Sequence, residues 1–320
     1  MDRYHRQMLF TAVGKTGQKK LQKATVAVVG VGALGSVSAE LLCRAGVGRL
    51  ILIDRDFVDL TNLQRQALYT EQDAGHAKAL AAQQQLQAIN SEIEIQAYVE
   101  DLHFSNIDSL LQTADIIVDG TDNLDTRFLL NEYSLKHQIP WIYGGALQDR
   151  GFVMTFTGQG KPCFQCIVKE KVDVGTCDTI GVLNTITHMV GSLQAQHCIQ
   201  YLLGTPAQGL VHIQLMNSRF DVLLVKKNSS CLTCRGDFPH LDGRKQQQLV
   251  RFCRTGQFQI FASQPFRLKT LKQSLQKNGN VKDLGFCLVF QGMKIFKDRV
   301  LTSAVTEKEA KSLYARYFGH

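Results

Sequence analysis

The sequence predicts an α/β fold: a Rossmann-like, mostly parallel sheet that continues into an antiparallel region, followed by a small C-terminal α+β domain. Up to residue 144, short apolar runs alternate with segments of helical periodicity, as in βαβ units. A glycine-rich turn, GVGALG at residues 30–35, joins the first apolar run to a helical segment. After residue 144, strand-like runs follow one another with a single helical segment among them, which favours antiparallel pairing.

The first part of the chain is predicted from its periodicity. Strands are expected at residues 25–30, 49–54, 93–99, 114–120 and 140–143, and helices at residues 33–45, 75–89 and 124–137. Because parallel neighbours need a crossover between them, this order gives a mostly parallel sheet.

The second part changes in character. Strands are expected at residues 151–156, 210–216 and 220–227, with a helix over residues 183–203. Residues 258–262, 286–290 and 293–296 form further strand-like runs, and residues 307–318 form a final helix. The sequence therefore predicts two domains, 1–243 and 244–320.

Composition narrows the class of protein. Hydrophobic residues make up 44% of the chain and charged residues 20%, which is ordinary for a globular protein. No apolar run approaches the roughly 20 residues that span a bilayer. The charged N-terminus, MDRYHRQMLF, is unlike a signal peptide, so we expect a cytoplasmic protein without membrane attachment.

The net charge of +8 is modest and spread along the chain, with two places of higher concentration, residues 15–23 and the region after Arg235. Neither stretch interleaves aromatic residues with arginines, so no nucleic-acid partner is expected. These basic stretches are explained most simply as solvated helix faces. The functional alternative is a surface that binds an acidic protein.

The glycine turn predicts a nucleotide site. Gly30, Gly32 and Gly35 stand between a strand and a helix, where backbone amides can approach phosphate oxygens. Asp54 ends the second strand, at the position that holds a ribose hydroxyl in dinucleotide folds. These residues alone do not separate NAD from ATP.

The polar segment after the second strand favours ATP. Asn62 and Arg65 follow Asp54, and Lys78 opens the next helix one turn after Gly75. A guanidinium beside a nucleotide suits charge on phosphoryl oxygens, whereas hydride transfer needs no such group. For Lys78 an exposed helix lysine is the alternative.

Asp122 is the candidate magnesium ligand. It follows the strand that ends at Asp119, and the carboxyl ends of parallel strands are where open α/β sheets bind ligands. Mg²⁺ prefers one or two carboxylates together with phosphate oxygens. Asp119 and Asp125 are rivals for this role, and helix capping by Asp122 or Asn123 is the structural alternative.

Nine cysteines in an apparently cytoplasmic chain indicate metal or thiol chemistry rather than disulfides. Two C-x-x-C pairs, Cys163 with Cys166 and Cys231 with Cys234, predict a closed tetrahedral zinc site of structural type, which would staple the antiparallel region. Cys177, in a Gly/Thr-rich stretch, is a candidate nucleophile, although a lone cysteine is more often inert.

Over residues 3–235 the chain resembles the ubiquitin-activating-enzyme superfamily, in its ThiF/MoeB/HesA branch of sulfur-carrier adenylyltransferases. The resemblance rests on RYHRQ (3–7), GVGALGS (30–36), ID-D (53–56), TNLQRQ (61–66), G-x-x-K (75–78), GTDN (120–123), both C-x-x-C pairs and GSLQAQ (191–196). Each segment is weak alone, but their order and spacing are specific.

The resemblance implies a role for each matching position. The implied ATP site comprises Gly30, Gly32, Ala33, Gly35, Asp54, Asp56, Thr61, Asn62, Leu63, Gln64, Arg65, Lys78, Asp122 and Asn123. Arg6 would reach into the partner subunit's ATP site in a homodimer. The four paired cysteines match zinc ligands, and Cys177 matches a cysteine that some members use in thioester or persulfide chemistry.

The implied reaction is ATP-dependent, Mg²⁺-assisted adenylylation of the C-terminal glycine of a ubiquitin-like sulfur carrier protein ending in Gly-Gly. No rhodanese domain is recognised, so the sulfur donor would be separate, a cysteine desulfurase or a sulfurtransferase. The C-terminal extension favours the thiamine branch. A molybdopterin-pathway activator is the nearest alternative and a tRNA-modifying dehydratase a more distant one. Outside the superfamily, an NAD-dependent oxidoreductase and a catalytically silent scaffold stay open.

Overall fold

The computed structural model describes residues 3–168, 181–245, 249–251, 257–262 and 265–318. The chain forms two compact units, Met1–Arg244 and Lys245–His320.

The first unit is built on one large sheet with helices on both of its faces. Its strands are β1 Thr25–Val29, β2 Arg49–Ile53, β3 Glu94–Tyr98, β4 Ile116–Asp119, β5 Trp141–Leu147, β6 Arg150–Phe156, β7 Leu210–Gln214 and β8 Arg219–Leu223. Its helices are α1 His5–Leu9, α2 Gly14–Lys23, α3 Gly35–Ala45, α4 Lys78–Ile89, α5 Ile107–Leu111, α6 Leu124–His137 and α7 Asn184–Leu203.

The sheet has the strand order β3-β2-β1-β4-β5-β6-β7-β8. In this order, the five neighbouring strands β3, β2, β1, β4 and β5 pair in parallel. Strands β5, β6, β7 and β8 pair antiparallel. The predicted α/β class and the change from parallel to antiparallel pairing are therefore confirmed. The strand order reverses at β1, which lies between β2 and β4, and ligands of open α/β sheets bind outside the carboxyl ends at such a point.

The central strands β1, β2 and β4 are buried on both faces of the sheet, which is why they consist mainly of Val, Ile and Leu. On one face, α7 packs closely against α3. A Cβ atom at Gly191 of α7 would lie 2.8 Å from the Leu34 carbonyl oxygen, and Ser38 of α3 donates a hydrogen bond to the Gly191 carbonyl. The glycine of the GSLQAQ segment thus sets the distance between these helices.

Several details of the first unit differ from the prediction; for example, β8 ends at Leu223 rather than at residue 227, and β5 extends to Leu147 rather than to residue 143. Helix α4 begins at Lys78 rather than near residue 75, because Gly75 has φ of 83° and Phe57 pairs with Ala77 just before the helix. Helix α5 was not predicted, since five residues are too few to display helical periodicity.

The second unit has a six-stranded antiparallel sheet and two helices. Its strands are β9 Leu249–Arg251, β10 Phe258–Phe261, β11 Val281–Asp283, β12 Leu288–Phe290, β13 Met293–Ile295 and β14 Arg299–Thr302, and its helices are α8 Leu268–Leu275 and α9 Glu307–Phe318. The sheet order is β11-β12-β13-β14-β10-β9. One face of this sheet packs against the apolar residues of α8 and α9. Its buried side chains include Phe290, Ile295 and Val300.

Helix α6 holds residues 240–241, near the C-terminal end of the first unit, through hydrogen bonds. Glu132 is fully buried, and its Oε2 accepts hydrogen bonds from the backbone amides of His240, at 2.8 Å, and Leu241, at 2.9 Å. Burial raises the pKa of Glu132 from its ordinary value of 4.5 to about 7, although both amides oppose the shift.

This raised pKa predicts a pH dependence of stability. Between about pH 4.5 and pH 7 the unfolded chain releases the Glu132 proton before the folded chain does, so the free energy of unfolding falls as the pH rises, by on the order of 1 kcal/mol per unit at most. Glu132→Gln keeps an acceptor oxygen for both amides and should flatten this slope. Urea unfolding at several pH values measures it, and equal slopes for both proteins would contradict the assignment.

Candidate active site

The glycine turn brings three backbone segments into direct contact. Gly30 has φ of 83°, and a Cβ atom there would lie 2.7 Å from the Gly120 carbonyl oxygen. A Cβ atom at Gly35 would lie 1.9 Å from the Gly30 carbonyl oxygen. Only glycine permits these approaches, which place the start of α3 beside the ends of β1 and β4.

Asp54 lies next to this turn, at the end of β2. Its side chain is 9% exposed and accepts hydrogen bonds from the amides of Val31 and Asp56, both at 2.7 Å. Burial raises the pKa of Asp54, while the charge of Lys78 opposes the shift. A carboxylate offers about four acceptor positions, so this side chain can still accept a hydrogen bond from a ribose hydroxyl.

Lys78 and Asp56 form an ion pair beside Asp54. The Lys78 side chain is only 3% exposed, and its Nζ lies 3.0 Å from Oδ2 of Asp56. Its backbone amide donates to the Asp56 carbonyl at 2.9 Å. The hydroxyl of Tyr69 lies 2.7 Å from the Val31 carbonyl oxygen and 3.2 Å from that of Lys78, which ties the start of α4 to the glycine turn.

The segment at 61–65 forms a short helical turn. Asp59 caps it by accepting from the Thr61 amide at 2.8 Å, and the amide nitrogen of the buried Asn62 donates to the Thr61 hydroxyl. Arg65 is half-buried and donates to the Thr61 carbonyl at 3.3 Å. Leu63 is half-buried, while Gln64 is exposed.

The three carboxylates around β4 have different environments. Asp119 is fully buried, accepts from the amide and hydroxyl of Thr121, and lies 3.4 Å from Nε of Arg127. Burial raises the pKa of Asp119, and Arg127 opposes the shift. Asp122 and Asp125 are exposed. Asp119 is thus committed to the interior, which removes it as a rival for an exposed metal site.

Asn123 has the capping role. Its side chain accepts from the Thr126 amide at 2.9 Å and begins α6. Among the residues that the structure describes, the carboxylate of Asp122 makes no hydrogen bond or ion pair, so its oxygens are available to a cation.

Sequence reasoning missed two side chains that hold this loop. Arg127 donates to the carbonyls of Thr121, at 2.6 Å, and Gly144, at 3.0 Å, and its guanidinium lies 5.2 Å from the Tyr143 ring centre. The other is Gln194, which donates to the carbonyls of Asp119, at 2.7 Å, and of Ile142 near the start of β5, at 3.2 Å. The GSLQAQ segment contained Gln194, but nothing in the sequence indicated its target.

Arg55 was also missed, although it stands inside the ID-D segment. Its guanidinium lies 2.6 Å from the carboxylate of Asp101 and also interacts with Asp56 and Asp122. The signal that could have found it is its position directly after a buried strand. It brings the carboxylates that follow β2 and β3 together around one cation.

Two predicted residues lie outside this cluster. Arg6 is exposed on α1, which packs beside the C-terminal end of α3, since Gln7 donates to the Ala45 carbonyl at 2.9 Å. The glycine turn is at the other end of α3, an 11-residue helix that spans about 16 Å. Cys177 falls outside the described residues.

The four paired cysteines form one cluster. Their Sγ atoms all lie within 4.8 Å of one another, and the shortest Sγ–Sγ distances are 3.6, 3.6 and 3.8 Å. A tetrahedral zinc ion with Zn–S of about 2.3 Å gives sulfur–sulfur edges of about 3.8 Å. The donor set therefore fits zinc, and the predicted pairing of the two C-x-x-C motifs is confirmed in the geometry.

The loops that carry these cysteines are held by α6. Asn131 accepts from the Phe164 amide at 2.8 Å, and its amide nitrogen donates to Gln165 at 3.0 Å. Without a metal, burial raises the pKa of Cys163 and raises that of Cys234 to about 11. A bound dication would displace these protons.

Removal of one cysteine should abolish metal binding. Cys234→Ala leaves three thiolates, and we expect loss of bound zinc together with a melting temperature lower by roughly 5 °C or more, because a structural metal contributes folding free energy. Metal analysis of the purified protein and thermal unfolding measure both effects. Cys198→Ala, a buried cysteine of α7 outside the cluster, is the control and should retain the metal; equal zinc contents in the two variants would contradict the site.

With this geometry established, comparison with known sequences identifies the family. The sequence profile of the ThiF family matches residues 4–233. The chain belongs to the ThiF family. The predicted superfamily membership is thus confirmed.

Two relatives resemble this ThiF-family chain over most of their own length. One is the sulfur carrier protein ThiS adenylyltransferase of Bacillus subtilis (strain 168), 34% identical over 334 aligned residues that cover 99% of each chain. Another is the sulfur carrier protein adenylyltransferase of Thermus thermophilus, 37% identical over 263 residues, 79% of this chain and 95% of the relative.

A third relative is longer. The adenylyltransferase and sulfurtransferase MOCS3 of Anopheles gambiae is 38% identical over 239 residues, which are 72% of this chain but 54% of MOCS3. Among solved structures, Escherichia coli MccB with ATP has a similar fold, with a TM-score of 0.66 and 22% identity over 73% of each chain.

Within the described residues, no helix has the length and apolarity needed to cross a membrane.

Proposed function

We propose that the protein uses ATP to adenylylate the C-terminal carboxylate of a ubiquitin-like sulfur carrier protein, with release of pyrophosphate. The observation that carries the proposal is the cluster at the carboxyl edge of the sheet, where Lys78 and Asp56 lie beside Asp54 and the glycine turn. Membership of the ThiF family supports it, as do the activities for which the B. subtilis and T. thermophilus relatives are named.

The adenylylation step needs no covalent participation and no proton transfer by a residue of the protein. The attacking carboxylate is ionised at neutral pH, so no general base is needed. Catalysis then rests on aligning the carboxylate with the α-phosphate and on stabilising charge that develops on phosphoryl oxygens. Amides of the glycine turn would bind phosphate, Asp54 would bind the ribose, and Arg65 and Lys78 would supply positive charge.

Asp122 would hold Mg²⁺ against the phosphates. Its carboxylate is exposed at the end of β4, and it carries no hydrogen bond within the part of the chain that the structure describes. Mg²⁺ binds through one or two carboxylates plus phosphate oxygens, so an accessible carboxylate at this edge fits it.

Arg6 would complete the site from a second copy of the chain. Its helix lies at the end of α3 opposite the glycine turn, so the proposed role requires a homodimer in which Arg6 crosses to the partner subunit's ATP site. The guanidinium would add charge stabilisation that the chain's own site lacks.

We propose a cysteine desulfurase or a sulfurtransferase as the separate sulfur donor. A persulfide on that donor would attack the acyl adenylate and release AMP, which leaves an acyl disulfide. A second thiol, for which Cys177 is the candidate, would then attack the donor's sulfur in the S–S bond, release the thiocarboxylate and remain in a disulfide with the donor.

Full-length similarity favours the thiamine branch. The alignment with the B. subtilis ThiS adenylyltransferase includes the second unit, because it covers 99% of each chain. The molybdopterin branch is the second candidate, since the MOCS3 relatives match the chain at up to 38% identity. An NAD-dependent oxidoreductase would leave Arg65 and Lys78 without a role.

ATP–pyrophosphate exchange tests the function directly. The purified protein is assayed with a thiamine-branch carrier and, separately, with a molybdopterin-branch carrier, each ending in Gly-Gly. Exchange that depends on the thiamine-branch carrier is the expected result. Exchange with the molybdopterin carrier alone would move the protein to that branch, and no exchange with either would contradict the proposed activity.

A complementation experiment tests Arg6 and Asp122 together. Arg6→Ala and Asp122→Asn should each lower exchange by about 10²–10³, the usual effect of losing one electrostatic group. In a mixed dimer, the site of the Arg6→Ala chain keeps its own Asp122 and receives Arg6 from the other chain. Mixing the two variants under conditions that exchange subunits should therefore restore activity.

The control for Asp122 is Asp125→Asn, which alters an exposed carboxylate three residues further along. It should retain exchange within about twofold, as surface substitutions usually do. If the mixture stayed as inactive as its parents while subunit exchange was demonstrated, Arg6 would not act across the dimer.

A further inference from the structure

Charge is distributed unevenly between the two units. Lys245–His320 contains fourteen lysines and arginines but four acidic residues, a formal net charge of +10. Since the whole chain has a net charge of +8, Met1–Arg244 has −2. Repulsion among these positive charges destabilises the compact state of the second unit. An anionic partner would reduce that repulsion, so the unit is suited to bind one.

The densest part of this charge is residues 267–282, which we name the basic margin. It contains five basic residues and no acidic one, and it comprises α8, the following turn and most of β11, the outermost strand of its sheet. Four of its cations are exposed and make no ion pair within the described residues: Arg267, Lys269, Lys277 and Lys282.

The acidic residues of the unit do not neutralise this surface. Asp283 pairs with the half-buried Lys272 at 3.1 Å, and Asp298 pairs with Arg299. Glu307 pairs with Lys311 at 2.6 Å, and Glu309 accepts from the Val305 amide at 2.8 Å. Each carboxylate is therefore already engaged.

The chemistry of the basic margin favours an acidic protein over a membrane or a nucleic acid. Leu268, Leu271 and Leu275 of α8 belong to the core of the unit, so the helix offers no apolar face to lipid. Among the described residues of the unit, every aromatic side chain is buried or half-buried, so none is fully exposed for stacking on bases. Three of the four exposed cations are lysines, which act as hydrated point charges rather than bidentate phosphate ligands.

We propose that the basic margin is an electrostatic docking surface for an acidic face of the carrier protein. The inference rests on the proposed function and adds a property of the substrate, because the carrier must arrive and leave in every turnover. Complementary charge accelerates the encounter, and because both units belong to one chain, a carrier docked on the second unit stays tethered to the unit that holds the ATP site.

Charge reversal in the full-length protein tests this. In the triple variant Lys269→Glu, Lys277→Glu and Lys282→Glu, the KM for the carrier in pyrophosphate exchange at low salt should rise about tenfold. The kcat and the KM for ATP should stay unchanged, because the altered residues do not touch the reacting groups. The KM for the carrier should also depend less on salt concentration.

The first unit offers a matched control. Lys15, Lys19 and Lys23 are exposed on α2, and reversing all three changes the net charge by the same amount. This control should change the carrier KM by less than about twofold. Thermal unfolding of each variant verifies that it is folded.

Three results would overturn the docking surface: an unchanged carrier KM in the basic-margin variant, an equal rise in both triple variants, or a loss confined to kcat. Binding of a single-stranded RNA that the basic-margin variant loses, with an unchanged carrier KM, would assign the surface to nucleic acid instead. Absence of exchange in the wild-type protein with every carrier would overturn the proposed function itself.

Discussion

The candidate site depends on the contact between the backbones of Gly30, Gly35 and Gly120. Any side chain at Gly35 would overlap the Gly30 carbonyl oxygen, which a Cβ atom would approach to 1.9 Å. This contact places the start of α3 against the ends of β1 and β4, and so brings Asp54 within reach of the Val31 amide. The convergence of charged groups at the carboxyl edge follows from how closely these three segments approach.

Helix α6 connects the candidate site of the first unit with its cysteine cluster. It begins at the Asn123 cap directly after Asp122, and two turns later Asn131 holds the loop between Cys163 and Cys166. The next residue, Glu132, holds the segment that follows Cys234. Because one helix carries both sets of contacts, a zinc ion bound by the four cysteines would stabilise, through α6, the loop that presents Asp122.

The parts that sequence could predict are those with a local signal. Period and glycine spacing predict the sheet, and C-x-x-C spacing predicts the metal cluster. The contacts of Arg127 and Gln194 depend on segments far apart in the chain, and no local pattern indicates which carbonyl a buried side chain will find. The same holds for α5 and for β9 and β11 of the second unit, which are too short to show periodicity.

The candidate site carries more negative than positive charge, so binding of a nucleotide there calls for additional positive charge. At this edge of the sheet the carboxylates of Asp54, Asp56, Asp101 and Asp122 outnumber the cations Arg55 and Lys78, and the more buried cation, Lys78, is already paired with Asp56. A triphosphate adds further negative charge, which this arrangement alone would repel. Binding then requires positive charge from outside the chain's own cluster. A magnesium ion on Asp122 and an arginine from a second subunit are the two sources that the proposed function provides.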